Sequence, residues 1–175
     1  MAKGFVVPMA AHAVVYAESQ LLDAKMNTLQ KVPGIAAALG YAGLLPFVFL
    51  SVALWFVDEA TAVPISDALL LYAAVILAFM GAIHWGVAMM QPDGPNRLQL
   101  GLSVVPPLVA WFASFTPWVI NYSVLYLAFA GLCVFDSRLS KRGVLPGWYP
   151  KLRVPLTVVV VASLISAQLA LTLGQ

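Results

Sequence analysis

The residues with the clearest capacity for chemistry lie in GAIHWG, Gly81 to Gly86, where a histidine and a tryptophan sit inside a run without any charged residue from Ala68 to Met90. Counted back from Gln91 at about 1.5 Å per residue, His84 lies roughly 10 Å inside one end of that run. Helical geometry puts Ala73, Leu77, Met80, Gly81, Ala88 and Gln91 on its face, and small residues there let a neighbouring helix come close. His84 is therefore expected to point into a helical bundle. Three roles fit it. One is a hydrogen bond to Ser51, to Ser103 or to a carbonyl freed by Pro46, Pro106 or Pro107. Another is contact with a bound lipid, quinone or similar apolar molecule, with Trp85 and Trp111 as flat walls. The third is metal or haem ligation, which the residue types oppose: such sites need several ligands, and the other histidine, His12, lies near the N-terminus.

Other catalytic constellations are absent from the pattern. Cys133 has no histidine near it in sequence, and a thiol in apolar surroundings is more often inert. Ser114, Ser163 and Ser166 suit helix packing, and no glycine-rich phosphate loop occurs. The expectation is a protein that is not an enzyme and that carries no cofactor or metal.

The elements that must position His84 follow from composition. Of 175 residues, 62% are apolar and 9% charged, against about 25% charged in soluble domains. Runs of roughly 20 apolar residues, the length that crosses a 30 Å hydrocarbon core, occur at about 35–57, 68–90, 98–115, 118–135 and 154–173. The expected fold is an all-α membrane protein of five transmembrane helices, the segments being too uniformly apolar for barrel strands. Pro106, Pro107 and Pro117 break the third run from the fourth, with Pro117 starting the fourth helix. No Asp, Glu, Lys or Arg falls inside these runs, which leaves His84 as the one ionisable group expected at depth.

Five spans place every cation on one side: Lys3, Lys25, Lys31, Arg97, Arg138, Lys141, Arg142, Lys151 and Arg153. The other side holds Asp58, Glu59 and Asp67. The positive-inside rule then puts the N-terminus toward a cytoplasm or mitochondrial matrix. A cleavable signal or transit peptide is not expected at the N-terminus, because Pro8 and His12 interrupt the apolar stretch and Glu18 and Asp23 occur where arginines would. Residues 1–32 read as an arm, with an interfacial amphipathic helix from about Ala10 to Gln30 that carries Ala11, Val15, Leu22, Met26 and Leu29 on one face.

The connection DSRLSKRGVLPGWYPKLR carries the densest polar information. Arg138, Lys141, Arg142, Lys151 and Arg153 are expected to meet anionic headgroups or partner subunits, with Trp148 and Tyr149 at headgroup level. Asp136 is placed to pair with Arg138 or with Arg153, tying two spans together. Pro146, Gly147 and Pro150 suggest a fixed turn.

Taken in order, GLLPF at Gly43 to Phe47, GAIHWG, the Pro106 region, Asp136, Arg138, GVLPGWY at Gly143 to Tyr149 and LRVPLT at Leu152 to Thr157 resemble the transmembrane protein 69 family. The resemblance runs from about Ile35 to the C-terminus. It implies a small multi-span protein of a bacterial cytoplasmic or mitochondrial inner membrane, and it transfers no catalytic residue. It also implies that Pro46, His84, Trp85, Pro106, Asp136, Trp148 and Tyr149 belong to the family pattern. Two functions are expected. The first is a non-catalytic accessory or assembly subunit of a larger inner-membrane complex, of the respiratory chain for instance, with membrane lipids and other subunits as partners and no nucleic acid. The alternative is a binder or carrier of a small apolar molecule, a lipid or quinone, in a pocket near His84, Pro46 and Pro106.

Overall fold

A computed structural model describes residues 18–22, 31–91 and 94–174, and among them the chain is helical without strands. The elements are α1 (Gly34–Ala42), α2 (Leu45–Ala53), α3 (Glu59–Met89), α4 (Arg97–Ser103), α5 (Val105–Ala113), α6 (Trp118–Lys141) and α7 (Tyr149–Leu173). Among the described residues four runs are long and apolar enough to cross a membrane: Gly34–Ala53, Glu59–Met89, Trp118–Lys141 and Tyr149–Leu173. A fifth, Arg97–Ala113, is shorter. The all-α architecture with four to five spans is thus as expected. Of the expected arm, residues 18–22 are helical, with Leu21 and Leu22 exposed; its residues 1–17 and 23–30 lie outside the described residues.

Proline explains where two of the spans break. Pro46 follows the turn at Gly43 and Leu44 and enters α2 in its first turn, where a missing N–H costs least. Tyr72 of α3 donates to the Gly43 carbonyl at 2.9 Å, so a tyrosine caps this break, the kind of work the sequence reading offered to His84. Pro106 and Pro107 likewise open α5 after the break at Val104. The Ser103 carbonyl, which lacks the N–H that residue 107 would otherwise supply, lies against Gly81 of α3. A Cβ built on Gly81 would stand 2.6 Å from that oxygen. Glycine is what allows α3 and the α4–α5 pair to touch there.

Asp58 caps α3, accepting from the Thr61 N–H at 2.8 Å. That backbone hydrogen bond, first, holds its carboxyl below the usual carboxylate range. At the other end, Gly143 (φ 74°) closes α6. Its N–H reaches the Ser140 carbonyl and the Val144 N–H reaches Leu139, a Schellman arrangement that only glycine enters without strain. Leu145 is then buried and Tyr149 N–H bonds to Pro146. The connection between α6 and α7 is a defined turn.

The core lies along the middle of the bundle, where Phe47, Leu69, Leu77, Tyr122, Leu125, Phe129 and Leu164 are all buried. The Phe47 ring stands edge-on to Phe129 at 6.1 Å and tilted to Tyr72 at 5.0 Å. Three polar ties cross the bundle toward its acidic end: Ser66 with Tyr122 at 3.1 Å, Trp55 to Ser166 at 3.0 Å, and Gln168 to the Val119 carbonyl at 3.0 Å. Such ties are modest within lipid, worth about 0.6–2 kcal/mol each. They fix which faces meet.

Candidate functional site

The polar centre of the protein is built from three spans. His84 of α3, Asp136 of α6 and Arg153 of α7 are each buried, at 1%, 1% and 6% exposure. Arg153 Nε donates to Asp136 Oδ2 at 2.9 Å. His84 Nε2 lies 2.8 Å from Asp136 Oδ1. This second contact has an ion-pair distance without hydrogen-bond alignment, so both imidazole nitrogens and Oδ1 lack an aligned partner. It is best read as an electrostatic contact. The Phe135 ring, 5.3 Å from the imidazole, shields it further.

Local sequence explains each position. His84 shares the buried stripe of α3 with Ala73, Leu77, Gly81 and Ala88, as its helical face required. Asp136 continues the buried face of α6 from Leu125, Phe129 and Leu132 to Leu139. Arg153 heads the buried face of α7, followed by Thr157, Val160, Leu164 and Ala167. The triad thus lies where three inward stripes converge at the basic end of the bundle.

Two sequence expectations are corrected here. The interior was expected to hold no Asp or Arg, and Arg153 was placed among headgroup contacts. Instead α6 and α7 extend past the charge-free runs, and both charges are enclosed. The reason is mutual compensation: a carboxylate and a guanidinium that neutralise each other can be buried together where either alone could not. Of the two partners open to Asp136, Arg153 is the one taken, and Arg138 is exposed. His84 pairs with neither serine: Ser51 donates to the Val48 carbonyl and Ser103 to that of Leu100.

The remaining site residues separate into groups. Trp85 and Trp111 are 46% and 56% exposed and do not wall the histidine. Trp111 packs on Phe112 and Phe115. Pro106 is buried against Gly81, and Pro46 is half-buried at the break of the first span. Lys141, Arg142 and Lys151 are exposed, and Trp148 and Tyr149 are half-buried with their rings 6.0 Å apart.

A cavity of about 370 Å³ adjoins the triad, in the range of small-ligand pockets. Its walls come from α1 and α2 (Gly40, Phe47), α3 (Met80, Ile83), α6 (Phe129) and α7 with the preceding turn (Trp148, Tyr149, Arg153, Leu156). Neither Pro46, Pro106 nor His84 lines it, and α4 and α5 contribute nothing to it, so the pocket is closed by α7 where the sequence suggested the third span. Leu39 and Phe79, both exposed, stand among its lining residues, so it opens laterally between α1 and α3. α1 leans on α7 more than on α3, which leaves that gap.

Sequence reasoning missed Gln99. The contacts of Gly81 with Ser103 and of the Asn96 N–H with the Ala88 carbonyl set the antiparallel register of α3 and α4, which brings Gln99 to the level of His84. It is buried with Nε2 unpartnered. The available signal was its position four residues before Ser103, on the face that carries both.

The comparisons with known proteins agree with this architecture. Residues 32–169 match the family described as protein of unknown function (DUF3429). Transmembrane protein 69 of Xenopus tropicalis is 34% identical over 86% of this chain and 60% of its own length; that of Mus musculus is 27% identical over 76% and 55%. The chain therefore spans little more than half the length of these relatives. No solved structure matches it. All the motifs from GLLPF to LRVPLT fall inside the matched residues, and the chain belongs to the DUF3429 family of membrane proteins, with relatives named transmembrane protein 69.

Proposed function

We propose that this protein binds a small lipid-like molecule inside the bilayer, in the cavity bounded by α1, α2, α3 and α7. The observation that carries this reading is one apolar cavity, open sideways to lipid, that has a buried arginine in its wall. An apolar guest gains little from leaving lipid for an apolar wall, so retention has to come from shape and from a polar contact. The cavity supplies both. The accessory-subunit role expected from the sequence has no comparable support, because exposed apolar side chains are spread over every span, as lipid contact alone requires.

Purification from native membranes into nanodiscs, followed by native mass spectrometry, should show one lipid-like species per chain. Ala36→Phe, which places a ring into the cavity from α1, should lower its occupancy about tenfold, roughly 1.4 kcal/mol of binding, with little change in thermal stability. Wild-type occupancy in that variant would remove the cavity as the site.

In the same proposal the basic end faces the cytoplasm of a bacterium or the matrix of a mitochondrion, through the positive-inside bias of Arg97, Arg138, Lys141, Arg142 and Lys151. Cysteines at Lys31 and Arg142, in a chain with Cys133 replaced, should be alkylated from one and the same face of sealed vesicles. Labelling from opposite faces would break the arrangement.

A further inference from the structure

The chemistry of Arg153 narrows the class of molecule that the cavity would take, an inference that rests on the binding reading above. Nε of this side chain is committed to Asp136. Nη2 is buried without any hydrogen-bond partner, in a residue 94% enclosed that lines the cavity. A buried guanidinium donor without an acceptor is costly, and such groups in native proteins answer to something. The rest of the lining offers no competing charge: beside Arg153 it is aliphatic and aromatic, with Trp148 and Tyr149 as the other polar-tipped side chains.

Charge then decides what acceptor fits. Asp136 and Arg153 neutralise each other, and beside them the cavity lining carries no charged side chain. An anionic head would add an uncompensated negative charge in a low-dielectric setting, at the side of the Asp136 carboxylate. An uncharged oxygen adds none and still takes the spare donor. The volume favours a slender body over a two-chain phospholipid, since about 370 Å³ lies at the small end of ligand pockets.

We propose that the cavity between α1, α3 and α7 binds a molecule with an uncharged carbonyl oxygen on an apolar body, a ketone-, ester- or quinone-type group, and that the Arg153 guanidinium shifts on binding so that Nη2, closed off in the empty protein, donates to that oxygen. Entry is lateral, past Leu39 and Phe79.

The test uses the full chain in nanodiscs with three compounds of equal length: methyl tridecyl ketone, pentadecane and pentadecanoic acid. Saturable binding is measured against empty nanodiscs, and the ketone also carries an isotopically labelled carbonyl for infrared spectroscopy. The ketone should bind about tenfold or more tighter than the alkane, the worth of one hydrogen bond to a charged donor. Its carbonyl stretch should move to lower frequency on binding. Arg153→Lys keeps the charge opposite Asp136 but loses the planar fork; it should remove both the frequency shift and the advantage of the ketone over the alkane. Equal saturable binding of ketone and alkane would overturn the carbonyl proposal and leave the binding reading standing. Tightest binding of the acid would overturn it in favour of an anionic head. Saturable binding of none of the three would end both. The infrared shift is read on the wild-type chain, so the outcome does not hang on any variant folding.

Discussion

Asp136→Ala is expected to be among the most damaging single substitutions in the described bundle. It removes the group that neutralises Arg153 and holds His84, and it leaves a buried guanidinium with no counter-charge. Removing one partner of a buried ion pair costs roughly 3–5 kcal/mol, much of it the penalty for the charge left behind. That diagnosis makes a second expectation. Asp136→Asn combined with Arg153→Gln removes both charges and keeps groups that can hydrogen-bond, and it should recover most of the loss. His84→Gln, which keeps a donor beside the carboxylate, should be the mildest change of the set. Denaturant unfolding in detergent, read as a double-mutant cycle, measures the coupling. A loss below about 1 kcal/mol for Asp136→Ala, in the range of an exposed pair, would mean that water reaches the triad.

Gly81 is the second position where a small change should have a large effect. A Cβ there would meet the Ser103 carbonyl at 2.6 Å and Pro107 Cδ at 2.9 Å. Both belong to stiff parts of the neighbouring segment: one is backbone, and the other is a ring inside a helix start. Neither can turn aside as a flexible side chain would. Gly81→Ala must therefore push α3 away from α4–α5, at about 1–3 kcal/mol for an overpacked contact, and Gly81→Leu by more. The displacement should reach His84, one turn along α3. Accordingly, Gly81→Ala should weaken the coupling between His84 and Asp136 as well as the overall stability. Gly86, with open space around its Cβ position, provides the control: Gly86→Ala should be neutral or slightly stabilising through its better helix propensity. Equal effects at the two glycines would show that close approach is not what Gly81 supplies.

Both outcomes concern contacts that no linear pattern states. What the chain determines by itself is everything that depends on runs and periods. Long stretches without charge dictate helices at membrane length. Pro46, Pro106 and Pro107 mark the two breaks within spans, since each lacks an N–H, whereas Pro64 and Pro155 are carried inside continuous helices. The helical period around His84 dictates that it faces inward, and Ala73, Leu77, Gly81 and Ala88 do line the buried stripe. The motif order dictates the family.

Tertiary structure decided what those elements meet. Span limits drawn where charge begins stop at Phe135 and restart at Val154, which sets Asp136 and Arg153 outside the membrane by definition. Charge in isolation is excluded from an apolar interior, and that rule operates locally in the sequence. Neutralisation is not local: it joins α3, α6 and α7 across 52 and 17 residues, and the electrostatic attraction that makes burial tolerable exists only once the three helices are packed. The cavity has the same origin. It forms because α1 leans on α7 and leaves a gap before α3, a matter of how rods pack rather than of what any one of them contains.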